Sequence, residues 1–122
     1  AEIKTISPEN KTTSDYYIQV LEYLWNHKEK YETLLELIGE SFPNEYYKRY
    51  LPDLFIQQKP GYVAEALNVE AIVYEQTPYL ISIFTAGLGG TTPESTEISG
   101  YGLHLLGQLC YVINEWHRVN VN

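Results

Sequence analysis

Apolar residues at three- and four-residue spacing indicate two helices in the first part of the chain. The first helix should begin near Ser14, after a polar segment whose Asn and Thr side chains suit a helix N-cap. Its inner face comprises Tyr17, Val20, Leu21, Leu24 and Trp25. The second helix is predicted from Lys28 to Ile38, with Gly39 as its stop signal. Between Pro43 and Pro52 we expect a helical turn or two.

Short apolar runs then predict three strands, at Leu54 to Tyr62, Leu67 to Tyr74 and Tyr79 to Phe84. The first strand contains Pro60, which has no N–H to donate and therefore belongs at a sheet edge. The other two show little alternation, which is typical of strands covered on both faces. Because the link from Glu75 to Pro78 is short, these two strands should form an antiparallel hairpin.

A long helix is expected to complete the chain. It should start at Thr92-Pro93-Glu94 or Ser95-Thr96-Glu97 and end near Arg118. Its apolar stripe, the expected packing face, consists of Ile98, Tyr101, Leu105, Leu109, Val112, Ile113 and Trp116. Glycines inside a helix cost up to about 1 kcal/mol each relative to alanine. We expect the helix to approach the sheet closely at Gly100, Gly102 and Gly107, so that the packing compensates for the lower helix propensity of these residues.

These elements predict an α+β fold, with an N-terminal helix pair, a three-stranded antiparallel sheet and a long C-terminal helix packed on the sheet. Residues 1–122 form a single domain or fragment, with a helical part over 1–53 and the sheet plus terminal helix over 54–122. One terminal helix covers one sheet face. The other face requires the N-terminal helices, a second copy of the chain, or a missing part of a longer protein.

Composition and residue spacing argue against several classes of function for this chain. A net charge of −8 disfavours nucleic acid and anionic membrane surfaces as partners, because phosphate recognition needs a basic stripe. No apolar run approaches the ~20 residues that span a bilayer. The single cysteine, Cys110, cannot form an internal disulfide and is expected to be a buried thiol. The histidines lack metal-ligand spacing, and Gly87 to Gly90 lacks the residues of a P-loop, so we expect neither metal nor cofactor.

Lys59-Pro60-Gly61 lies on the predicted edge strand, and an apolar hairpin, Phe84-Thr85-Ala86-Gly87 and the long helix follow it. This arrangement resembles the C-terminal part of the penicillin-recognising serine hydrolases, most closely the class A β-lactamases and their D,D-peptidase-like relatives. In that family a Lys-Thr-Gly or Lys-Ser-Gly triplet lines the cleft. Asn10 to Asp15 is similar to the family's Asn-x-Thr-Thr-Pro-x-Asp helix start, and Ala66 to Glu70 to the segment after the triplet. The resemblance covers nearly the whole chain, but only about half of a family domain.

The resemblance implies a role for each residue of this segment. Lys59 would be the electrostatic element beside the nucleophile, and Gly61 would let the substrate backbone approach. The backbone N–H of Tyr62 would occupy the oxyanion-hole position, and Asn68 would stand where an arginine often assists carboxylate binding. Pro60 departs from the family pattern because it has neither hydroxyl nor N–H.

The family's Ser-x-x-Lys and Ser-Asp-Asn motifs are absent from these residues, so the chain alone is not expected to be a hydrolase. The leading hypothesis is the C-terminal fragment of an exported bacterial enzyme, extracellular or in the cell envelope, that acts on β-lactams or peptidoglycan peptides by serine acyl transfer. Its partner would be the missing N-terminal half of the domain or a second copy of the chain. The alternatives are a degenerate, non-catalytic binding or scaffolding protein of the envelope, and a self-contained interaction module that dimerises.

Overall fold

The computed structural model describes residues 12–63, 66–88 and 100–122 and has an α+β architecture. Its elements in chain order are α1 (Ser14–Asn26), α2 (Glu32–Glu40), a 3₁₀ turn (Tyr46–Lys48), β1 (Ile56–Val63), β2 (Ala66–Val73), β3 (Tyr79–Ile83) and α3 (Gly100–Asn120). The predicted fold class, with a three-stranded antiparallel sheet and a long C-terminal helix, is confirmed. The described residues do not include Thr92 and Ser95, the two predicted start points of the last helix, or Ile98 of its apolar stripe.

The sheet has the strand order β1-β2-β3, and both pairs are antiparallel. The strand that contains Pro60 therefore lies at an edge, as predicted. Lys59 is directly opposite Glu70, and Glu70 is directly opposite Ser82 on the third strand. Two residues further along the first pair, Gly61 is opposite Asn68.

Helices cover both faces of the sheet. On one side, here called the α3 face, Val69 packs in a buried cluster with Leu106 of α3. On the other, the helix-pair face, Leu21 of α1 and Leu35 of α2 pack against Ile72. The N-terminal helices thus cover the face that the terminal helix leaves open, which removes the open face that suggested exchange of these helices between copies.

The start of α1 agrees with the prediction, but that of α2 does not. The side chain of Thr13 caps α1 by accepting a hydrogen bond from the Tyr16 N–H at 3.1 Å. The second helix begins at Glu32 and not at Lys28. Residues 27–31 form turns that reverse the chain, with the His27 N–H bonded to the Leu24 carbonyl at 3.2 Å.

The predicted packing face of α3 was wrong. Three members of the apolar stripe are largely solvent-exposed, Tyr101 at 71%, Val112 at 62% and Trp116 at 62%. The residues that the helix buries are Gly102, Leu106, Gly107, Cys110, Asn114 and His117. The helix therefore packs through a face made largely of small and polar residues.

Close approach and hydrogen bonds explain this choice of face. A Cβ atom at Gly102 would lie 2.9 Å from the Leu88 carbonyl carbon, so only glycine fits between helix and sheet layer here. The buried Asn114 amide accepts from the Tyr79 hydroxyl and donates to the Glu75 carboxylate, both at 2.7 Å. Buried polar side chains are stable when such partners satisfy them. The buried position of Cys110 is confirmed.

Candidate functional site

The Lys59-Pro60-Gly61 triplet presents its residues alternately to the two faces of β1, as strand geometry requires. Lys59 and Gly61 lie on the helix-pair face, opposite Glu70 and Asn68. Pro60 is buried on the α3 face opposite Val69, and Tyr62, half-exposed, lies on that face opposite Leu67. The structure therefore brings Lys59, Gly61 and Asn68 together and directs Pro60 and the Tyr62 side chain to the other side.

Lys59 is exposed, and its ammonium donates to the Pro60 carbonyl at 2.7 Å. Among the residues that the structure describes, no carboxylate lies within ion-pair distance of this ammonium. Gly61 is open, since a Cβ atom there would meet nothing within 4 Å. This end of the helix-pair face can therefore admit a ligand beside an available positive charge.

Asn68, expected at a carboxylate contact, uses its amide oxygen inside the fold. It accepts from the Thr85 N–H at 2.9 Å. The Thr85 hydroxyl oxygen in turn accepts from the Leu67 N–H at 3.1 Å and donates to the Leu67 carbonyl. These bonds hold the chain that follows β3 against β2, so the Asn68 side chain has a structural role in the fold.

Two residues that motif-based reasoning missed extend the site across the sheet. Glu70 and Ser82 continue the row that begins at Lys59, one residue on each strand and all on the helix-pair face. We call Lys59, Glu70 and Ser82 the polar row. The sequence signal was Glu70, the one charged residue in a strand that is apolar apart from Asn68. An explicit hairpin register would have placed it opposite Lys59.

The polar row runs from solvent into the fold. Burial raises the pKa of Glu70 to about 7, and the attraction of Lys59 and a hydrogen bond from its own backbone N–H only partly oppose this rise. The Ser82 hydroxyl is buried and has no hydrogen-bond partner in the described part of the chain. Glu70 thus lies beside the exposed Lys59, and the Ser82 hydroxyl, with unused hydrogen-bonding capacity, lies on the far side of Glu70.

A concave surface lies between α3 and the segment after the 3₁₀ turn. This groove of about 700 Å³ is lined by Tyr50, His104, Gln108, Tyr111 and Val112. The Tyr50 hydroxyl and Nδ1 of His104 are 2.6 Å apart. The groove is on the opposite side of the sheet from the polar row, and it adjoins the exposed apolar residues of α3.

Within residues 12–63, 66–88 and 100–122, no three His, Cys, Asp or Glu side chains converge as metal ligands. No helix of these ranges has the length and apolar character needed to cross a bilayer. Comparison of the chain with protein-family models, with curated proteins and with solved structures gave no significant match.

Proposed function

We propose that this chain is the C-terminal half of a β-lactamase-like or D,D-peptidase-like serine hydrolase domain, in which β1 lines the cleft for a β-lactam or a peptidoglycan peptide. The observation that carries the proposal is the position of Lys59 and Gly61 on the open part of the helix-pair face. Gly61 leaves room for a substrate, and Lys59 supplies positive charge for its carboxylate and for the developing oxyanion. The nucleophilic serine would come from an upstream segment of an exported bacterial protein.

The free edge of the sheet supports the presence of further polypeptide. β3 has one neighbour among the described strands, and its five residues, Tyr79 to Ile83, carry no charge. Natural proteins normally protect such an edge with charges, a proline or another chain segment. An additional strand beside β3 would satisfy the backbone groups of this edge.

The outer face of α3 supports the same conclusion. Its exposed residues Leu109, Val112, Trp116 and Val119 follow the three- and four-residue spacing of a helix-packing seam. We assign this seam and the β3 edge to the upstream segment that carries the serine. A second copy is less suitable, because two chains with a net charge of −8 each repel one another.

Covalent labelling of the full-length protein with a fluorescent penicillin tests this function. We expect the labelling rate to fall by roughly a hundredfold in Lys59→Ala, as for loss of one electrostatic contact to the transition state. The matched control is Lys30→Ala, an exposed lysine in the turn before α2, which should label like the wild type. A full-length protein that has an intact Ser-x-x-Lys and remains unlabelled would contradict the proposal.

A non-catalytic binding or scaffolding role in the cell envelope is the second candidate. It is favoured by Pro60, which lacks the hydroxyl of the family triplet and is buried on the α3 face, and by Asn68, whose amide oxygen already bonds Thr85. Absence of the serine or its lysine from the upstream sequence would favour this role. If Pro60→Thr leaves the affinity for a β-lactam unchanged, position 60 does not contact the ligand.

A further inference from the structure

The polar row contains hydrogen-bonding groups that the proposed function does not use. Lys59, Glu70 and Ser82 stand on neighbouring strands at one level of the sheet. Directly opposed residues have Cβ atoms about 5 Å apart, so neighbouring side chains of the row can contact the same small group. The row therefore has the dimensions of a single subsite.

The chemistry of the row alternates along its length. Lys59 is a donor and a cation, Glu70 is an acceptor and an anion when ionised, and the Ser82 hydroxyl can donate or accept. The Lys59 ammonium is bonded to a backbone carbonyl instead of a carboxylate. Lys59 and Glu70 therefore face each other without forming an ion pair.

Access to the row is from the β1 edge. Lys59 is exposed, the space beside Gly61 is open, and Ser82 lies at the buried end. A ligand that enters over Gly61 would meet Lys59 first and Glu70 next. The Ser82 hydroxyl lies behind Glu70, where it can donate to one carboxylate oxygen and leave the other for the ligand.

We propose that Lys59, Glu70 and Ser82 form a subsite for a ligand group that carries an ammonium or amide N–H next to a carboxylate, such as an amino acid or the end of a peptide. The carboxylate binds Lys59, the N–H donates to Glu70, and the Ser82 hydroxyl, which has no partner in the described part of the chain, donates to the second Glu70 oxygen once the ligand is bound. This assignment adds a requirement for a hydrogen-bond donor to the carboxylate recognition in the proposed function, and it rests on that function only for the role of Lys59.

Amide chemical-shift titrations of this chain with glycine and with acetate test the subsite. Glycine should shift the resonances of β1, β2 and β3 at the row, and acetate, which lacks the ammonium, should bind about tenfold more weakly. Glu70→Gln should weaken glycine binding about tenfold and leave acetate binding unchanged. Glu36→Gln, at an exposed position of α2, is the matched control and should behave like the wild type.

Dispersed amide spectra will show that each variant is folded. Ser82→Ala is a second variant, and it should weaken glycine binding less than Glu70→Gln does. Equal affinities for glycine in wild type and Glu70→Gln, or no shifts with glycine, would overturn the subsite. The experiment needs no upstream serine. A failure here is therefore distinct from a failure of penicillin labelling in the full-length protein.

Discussion

Replacing Glu70 with glutamine should stabilise the chain at alkaline pH and have little effect in acid. Burial raises the pKa of this carboxyl from 4.5 to about 7. Between these values the folded state holds a proton that the unfolded state has released, so stability falls as the pH rises through this window. Glutamine has nearly the same shape as the protonated acid and does not ionise, so it removes this loss.

The magnitude follows from the pKa. At ~1.4 kcal/mol per pKa unit, the rise of the Glu70 pKa from 4.5 to about 7 corresponds to roughly 3.5 kcal/mol as an upper bound. The side chain is only partly buried, and solvent screens its charge, so we expect about 1–2 kcal/mol at pH values well above the pKa. At pH values near or below 4.5, where Glu70 is protonated in both states, the difference between the two proteins should vanish.

Urea unfolding followed by tryptophan fluorescence at several pH values measures this difference directly. Glu36→Gln serves as the control for loss of one negative charge from an exposed position of α2. A stability difference between Glu70→Gln and wild type that is the same in acid and in alkali would refute the reasoning. It would mean that glutamine acts through packing, and that Glu70 does not titrate in the window expected from its burial.

Three other tests concern α3. Gly102→Ala should lower the free energy of unfolding by about 3 kcal/mol because its methyl group would overlap a backbone carbonyl. Gly107→Ala, whose methyl group would meet side chains and no backbone, those of Arg49 at 2.8 Å and Tyr50 at 3.3 Å, should change the free energy by less than about 1 kcal/mol. Equal losses in thermal denaturation of both variants would contradict the close packing at Gly102. Asn114→Ala should cost about 2–4 kcal/mol in urea unfolding, since it removes two buried hydrogen bonds; a cost near zero would show that water replaces them. The Cys110 thiol should react with a disulfide reagent only after unfolding, because burial raises its pKa, and rapid reaction of the native protein would contradict this.

The order and type of the elements could be predicted because local signals agree with the tertiary structure. Thr13 provides a cap where α1 begins, and Pro60 lies on the strand that is indeed at the sheet edge. The start of α2 could not be predicted from periodicity. Residues from Lys28 onward continue a helical pattern, but the chain must turn there to bring Leu35 onto the sheet.

The packing face of α3 shows why hydrophobic periodicity can fail to predict which side of a helix is buried. Trp116 and Val112 define the most apolar stripe, yet the helix packs through Gly102 and Asn114. Glycine brings the backbones close, and asparagine is stabilised by partners more than thirty residues away in sequence. A periodicity analysis assigns polar and small residues to solvent, because it contains no information about such distant partners.

The candidate site was predicted in part for a similar reason. A motif draws attention to consecutive residues, and it identified Lys59 and Gly61, which do share one face. Glu70 and Ser82 are near Lys59 only through strand pairing. Sequence-local reasoning identifies one edge of such a site, and the register of the hairpins supplies the remainder.

The bonds of Thr85 have a consequence for the local dynamics of the sheet. Beyond the last paired residue of β3, its hydroxyl and N–H still bind the backbone of Leu67 and the side chain of Asn68. The amide protons of Leu67 and Thr85 should therefore exchange with deuterium slowly, although Thr85 lies outside the strand ladder. In Thr85→Val the Leu67 amide would exchange faster because its hydroxyl acceptor is removed, whereas the amide of residue 85 keeps its bond to the Asn68 side chain and should exchange slowly.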